Sequence, residues 1–134
     1  MNWYLKVLKQ YADFKGRARR KEYWMFTLFN IIIFVVLFFM AGTLSSVIAS
    51  EDLILIPVVL YFFFMLIPLL AVTVRRLHDQ NKSGWFYCVS FIPFIGRIWL
   101  LILMCTEGTA GPNQYGPDPK NPDTELDEIG TLEV

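Results

Sequence analysis

The residues able to do chemistry lie in two short charged stretches and one isolated position. The richest is Arg75-Arg76-Leu77-His78-Asp79-Gln80-Asn81-Lys82-Ser83-Gly84-Trp85. His78 beside Asp79 suggests acid–base or metal chemistry. It is the only histidine in the chain, however, and a general base needs a nucleophile, an orienting group and a pocket. Neighbouring helical residues also point about 100° apart. No glycine-rich phosphate loop, HExxH or GxSxG pattern accompanies the pair. Cys88 and Cys105 sit in apolar sequence with no CxxC and no Cys/His spacing of a zinc site. The expectation is therefore no catalytic residue, no metal ligand and no cofactor, and a chain that leans away from being an enzyme. The second stretch, Arg17-Ala18-Arg19-Arg20-Lys21-Glu22, leads into Tyr23-Trp24. Arginine's planar fork suits carboxylates and phosphates, so binding or bracing, not turnover, is the chemistry these residues offer. The isolated position is Arg97, inside an apolar block, which makes it a candidate intramembrane polar site. Its place toward one end of that block also allows the side chain to snorkel to an interface.

The elements that position these residues are written in the hydropathy. The chain is 134 residues and 55% hydrophobic, with mean hydropathy +0.46, and its apolar residues are clumped. A bilayer's hydrocarbon, ~30 Å thick, is crossed by about 20 apolar helical residues. The expected fold is all-α, a multi-pass transmembrane helical bundle with about three apolar segments near 24–49, 53–74 and 85–105. Residues 1–119 form one integral membrane domain. Val47-Ile48-Ala49 offers a cleavage-like pattern, but the apolar run is longer than a signal peptide's and its basic head more elaborate. A retained anchor is the reading. Pro57 lies in the first turns of the second segment and Pro68 inside it, where it should bend the helix. The third segment contains Pro93-Phe94-Ile95-Gly96-Arg97. Read as one kinked helix, it crosses the bilayer, and this reading is preferred. Read as two halves of ~14 Å each, it is broken and re-entrant. Residues 2–12 predict an amphipathic helix, with Tyr4, Val7, Leu8 and Tyr11 on one face, lying on the membrane surface with Trp3 at the headgroups; the alternative is packing against the spans. Gly16 allows the turn into the membrane. Gly108–Pro119 is too rich in turn residues for a helix and is read as a rigid cap over the end of the third segment. Residues 120–134 form an acidic tail expected to be disordered.

Net charge is zero, which conceals an asymmetry. Seven lysines and arginines precede Glu22, and Arg75, Arg76 and Lys82 follow the second segment, while the Glu51-Asp52 turn has none. Basic short loops mark the cytoplasmic side, which places the N-terminus and the 75–85 stretch there. The two basic stretches then meet at one surface. Arg17, Arg20, Arg75 and Arg76 can brace against Glu22 and Asp79, with His78 at the interface, Ser83-Gly84 making a turn, and Trp24 and Trp85 as anchors. Alternatively these side chains contact anionic lipid headgroups, each gaining about 1 kcal/mol. Nucleic acid is not an expected partner, since no binding fold accompanies the charge. Polar Asn30 and Thr73 are read as interhelical hydrogen bonders.

Three motifs carry a family resemblance: Phe14-x-Gly16-Arg17-x-x-Arg20-x-Glu22-Tyr23-Trp24; Arg75-Arg76-Leu77-His78-Asp79 with Ser83-Gly84-Trp85; and Gly108-Thr109-x-Gly111-x-Asn113-x-Tyr115-Gly116-Pro117-Asp118-Pro119. With the spans between them, they make the chain resemble bacterial inner-membrane proteins of the YhaH/YhaI type, the DUF805 family, up to about residue 120. The resemblance implies an integral inner-membrane protein and brings no activity, substrate or catalytic residue. The functional expectation is a non-enzymatic membrane interaction or envelope-associated module. Membrane lipid is the expected partner, together with a homo-oligomer or another membrane protein. The alternative is a subunit of a small oligomeric transporter or channel.

Overall fold

A computed structural model describes residues 2–48 and 51–121. Its elements run α1 (Asn2–Lys9), α2 (Arg20–Ile48), α3 (Glu51–Asp79), a 3-10 helix (Gly84–Phe91) and α4 (Ile95–Cys105). The described residues hold no strand beyond an isolated bridge between Asn113 and Gly116. Of the acidic tail only Lys120 and Asn121 are described; the expectation of disorder falls otherwise outside the described residues.

Among the described residues, two helices are long and apolar enough to span a membrane, Arg20–Ile48 and Leu55–Asp79. At 1.5 Å per residue a 29-residue helix such as α2 or α3 reaches about 44 Å, beyond the ~30 Å hydrocarbon. Length alone does not separate a span from the core helix of a soluble protein, but exposure does. Phe38, Phe39 and Met40 on α2 and Leu60, Phe63 and Phe64 on α3 are all more than half exposed. A soluble fold would bury such a surface; hydrocarbon is its natural solvent. Pro57 and Pro68 lie inside α3, and Pro68 is fully buried. Across the span Tyr61 donates to Asn30 Oδ1 at 2.8 Å, while Thr73 bonds its own helix at Leu69 O.

The buried core sits at one end of the helix pair. Val7, Ala18, Phe26 and Val72 form one cluster, and Leu77, Leu103 and Met104 another; Tyr23 touches both. This corrects the reading of the N-terminal helix. α1 stops at Lys9, Val7 has no exposure, and Tyr4 stacks on Phe26 with ring centroids 5.3 Å apart. The apolar stripe is covered by α2 and α3, not by lipid headgroups, and Tyr11 lies beyond the helix and exposed. Amphipathicity requires that one face be covered; it does not name the cover.

The third apolar segment is also corrected. The single kinked helix does not form. Pro93 disfavours helix at Ile92, Phe94 takes a left-handed φ of 64°, and the chain reverses. Gly96 lets the two arms close: a Cβ there would lie 1.8 Å from the Val89 carbonyl oxygen. The arms return to the same place. Gly84 packs against Val74, while Leu103 and Met104 pack on Leu77. The segment is a hairpin whose two ends meet the end of α3. A third difference concerns 75–85. Its first half is the last turns of α3; the turn itself is confined to Gln80–Lys82, with Asn81 at φ 57°. Its N–H bonds back to the His78 carbonyl at 2.9 Å, the left-handed stop that asparagine tolerates.

Candidate functional site

The charged residues converge where α3 ends. Helix ends leave carbonyls without intrahelical partners and carry partial negative charge. Here the carbonyls of Arg75, Leu77, His78 and Asp79 are all claimed. Arg75 O accepts from Ala18 N–H at 3.0 Å and Leu77 O from the N–H groups of Gln80 and Lys82. His78 O takes Asn113 Nδ2 at 2.9 Å, and Asp79 O takes Thr109 N–H at 2.8 Å. Donors therefore arrive from the N-terminal segment, from the turn and from the 108–119 loop.

Two carboxylates organise the cations. Asp79 lies between Arg17, whose Nε donates to Oδ1 at 3.0 Å, and Arg76, whose Nη1 donates to Oδ2. Arg17 also donates to the Gly111 carbonyl at 2.6 Å and to the Thr109 carbonyl. Arg76 reaches the carbonyls of Met104 and Thr106. Three segments distant in sequence are thus pinned to one carboxylate. Gly108 makes this possible, since a Cβ there would sit 2.0 Å from Asp79 Oδ2. Glu22 is the second centre, fully buried. It accepts from Lys6 Nζ at 2.9 Å and from Arg75 Nη1 at 3.3 Å. Arg75 also bonds Gln10; its Nε and Nη2 are buried without a partner. Gln80 donates to the Leu103 carbonyl and tethers α4.

His78 and Asp79 diverge. The imidazole stacks on Tyr115 with centroids 3.8 Å apart and planes 3° off parallel. Its Nδ1 lies 3.2 Å from the Gly16 carbonyl, which fixes the proton on Nδ1. Nothing in this geometry lets the carboxylate orient the imidazole for catalysis. In the loop, Asp118 accepts from Gly111 N–H at 3.1 Å and Lys120 N–H at 2.9 Å. Burial alone would raise its pKa. The two backbone donors and the nearby Arg17 and Lys120 charges outweigh that and hold it below the ordinary aspartate value. At the exposed rim, the hydrogen bond and charge of Lys120, with help from Arg20, hold Glu107 below its ordinary value.

Of the residues singled out in the sequence, Arg17, Glu22, Arg75, Arg76, His78 and Asp79 come together. Arg20 stands on the rim, bonded to the Cys105 carbonyl at 3.2 Å and paired with Glu107 at 3.3 Å. Trp24 is exposed and edge-on to Tyr23. Ser83 caps the 3-10 helix by accepting from Trp85 N–H, and Trp85 itself is 81% exposed. Arg97 stands apart, exposed on α4. The loop expected to cover the third segment instead covers the end of α3. Sequence reading missed Lys6, Gln10, Gln80, Thr109 and Tyr115 as partners. The last two stand in the third motif, and that spacing was the available signal.

The family profile "Protein of unknown function (DUF805)" matches residues 11–117. The Escherichia coli (strain K12) inner membrane protein YhaI is 48% identical over 120 residues, covering 90% of this chain and 97% of that one. Inner membrane protein YhaH of the same strain is 48% identical over 122 residues, covering 90% and 98%. The uncharacterized protein YiiR is 29% identical, covering 81% and 87%. No solved structure matches. A profile matching residues 11–117, with relatives matched over nearly their full length, makes this chain a member of the DUF805 family of inner membrane proteins.

Proposed function

We propose that the chain is a two-span inner-membrane protein whose third apolar segment re-enters the bilayer from the cytoplasmic side. The N-terminus, the clasp around Asp79 and the C-terminal loop then share the cytoplasmic face. The protein serves there as a non-enzymatic membrane interaction module that favours anionic lipid. The observation that carries the reading is how the cations divide. Arg17, Arg75 and Arg76 are buried and spent on carboxylates and carbonyls, which makes them bracing groups. Lys9, Lys15 and Lys21 are exposed and ring the same end of the molecule, with Lys82 beside them over Phe86. A lysine near an anionic surface gains about 1 kcal/mol, roughly a fivefold preference.

The orientation is tested by a C-terminal fluorescent-protein fusion, which lights up only in the cytoplasm. Re-entry requires a signal; its absence, with a periplasmic reporter active in the same position, overturns re-entry. The lipid preference is tested in bilayers containing brominated phosphatidylglycerol or brominated phosphatidylcholine, by quenching of tryptophan fluorescence. The wild type should be quenched more by the anionic lipid, and K15Q/K21Q/K82Q should show a smaller difference. Equal quenching of the wild type by both lipids would sink the lipid reading.

A further inference from the structure

Arg97 is a charge the fold does not use. It is exposed on α4, with no hydrogen bond or ion pair among the described residues. Around it the hairpin shows large apolar side chains: Phe94 is 85% exposed, Ile95 72% and Ile98 60%. Such a surface belongs in hydrocarbon. The hairpin runs inward along α3, since Gly84 packs on Val74 and Tyr87 shares a cavity wall with Phe62, Leu66 and Leu69. α4 then returns to Leu77. Arg97 lies eight positions before Cys105, about 12 Å along a helix. Half of a ~30 Å hydrocarbon layer is ~15 Å, so on the re-entrant reading the backbone of Arg97 is set well inside one leaflet. An arginine at that depth is costly, and the cost is met by a partner, by snorkelling or by local thinning of the leaflet.

Among the acids whose side chains are described, no carboxylate lies beside it. Glu22 and Asp79 lie in the clasp, Glu107 and Asp118 lie in or beside the loop bonded to it, and Asp13 precedes Arg17 on the same side. A second copy inserted the same way up brings the same acids at the same level, so it offers none at the depth of Arg97. The anionic group that can move to that depth is a phospholipid phosphate, whose oxygens fit the guanidinium fork. We propose that Arg97 binds the phosphate of one anionic phospholipid drawn inward beside α4, so that the hairpin acts as a wedge that thins the leaflet it enters. This rests on the re-entrant reading above.

The test uses the full chain, purified in mild detergent with an equimolar mixture of phosphatidylglycerol and phosphatidylcholine. Retained lipid is counted by native mass spectrometry. The wild type should keep one phosphatidylglycerol per chain. R97Q should reduce that retention at least tenfold, R97K less severely because the fork is lost while the charge stays, and K15Q/K21Q should not remove it. Equal retention in R97Q and wild type overturns the proposal. So does a wild-type oligomer that R97Q dissociates with its lipid count unchanged, which would put Arg97 at a protein interface. The C-terminal fluorescent fusion is read on the same variants. A dark fusion condemns re-entry itself, whereas a bright fusion with unchanged lipid retention condemns the Arg97 site alone.

Discussion

Asp79→Asn isolates the charge at the centre of the clasp. The amide keeps the side chain's shape and one acceptor oxygen, but removes the negative charge between two guanidiniums. The side chains of Arg17 and Arg76 are 1% and 0% exposed, so neither can turn to water. Breaking a buried ion pair by removing one partner costs about 3–5 kcal/mol, because an uncompensated charge is left behind. Asp79 serves two cations, which puts D79N toward the upper end of that range. That is a large part of the ~5–15 kcal/mol a folded domain holds in total. Glu107→Gln is the matched control, since its pairs with Arg20 and Lys120 are solvent-exposed on both sides. The assay is size-exclusion chromatography of a fluorescent fusion in detergent after a series of heating steps. D79N should lose its monodisperse peak at temperatures where wild type and E107Q keep theirs. A partial rescue is expected from R76M/D79L, because apolar residues of similar volume replace a buried pair at little cost. Arg17 then remains in the clasp without its carboxylate, so the rescue is incomplete. If D79N survives the same heating as the wild type, the clasp is not what holds this end of the molecule together.

Three further outcomes follow from the same geometry. Gly96→Ala must push the Val89 carbonyl away; an overpacking cost of about 1–3 kcal/mol is expected, read as a lower melting temperature, whereas Gly42→Ala, with nothing within 4 Å of the added carbon, changes little. Tyr61→Phe removes the side-chain bond to Asn30. It should cost only about 0.6 kcal/mol, measured by unfolding in mixed micelles, and a loss several times larger would show that the spans depend on that bond. Asp118 has a folded pKa below its unfolded value, so its contribution is complete above the unfolded value and disappears as pH falls through the folded one. The hydrogen-exchange protection factor of the Gly111 amide should fall over that acid interval, and D118N should lower it at neutral pH already.

The two long apolar helices were legible because hydrocarbon imposes one requirement, a long uncharged helix, and the described residues meet it twice. The clasp was legible in part. Opposite charges bracketing the spans announced that Arg17, Arg75 and Arg76 would meet Glu22 and Asp79, and they do. The pairing of Arg20 was not legible, because its acidic partner, Glu107, stands 87 positions away, just before the stretch read as a cap for another element. Hydropathy also could not choose between a kinked helix and a hairpin for 85–105. Both bury the same residues in hydrocarbon; what decides is local, the proline at 93 and the glycine at 96 that lets one arm touch the backbone of the other. The N-terminal stripe carried the same ambiguity, since lipid and protein are equally apolar covers for Val7.

The distribution of specific contacts has a consequence for how this protein responds to change. Within hydrocarbon, helices gain little from hydrophobic contact with each other, because lipid tails are as apolar as leucine. Among the described residues, the side-chain hydrogen bond of Tyr61 to Asn30 joins the two long helices away from their polar end. The register of α2 against α3 is therefore set at their polar end, where Arg75 on α3 binds Glu22 on α2. The hairpin is tied at that same end through Arg76 and Gln80 to the carbonyls of residues 103–106, and the loop through Arg17 and Thr109. A partner or lipid that engages any one of these segments acts on all of them, because Asp79 and the end of α3 are shared. His78, which first suggested catalysis, belongs to this same structure: stacked on Tyr115 and bonded to Gly16, it joins the loop to the N-terminal segment.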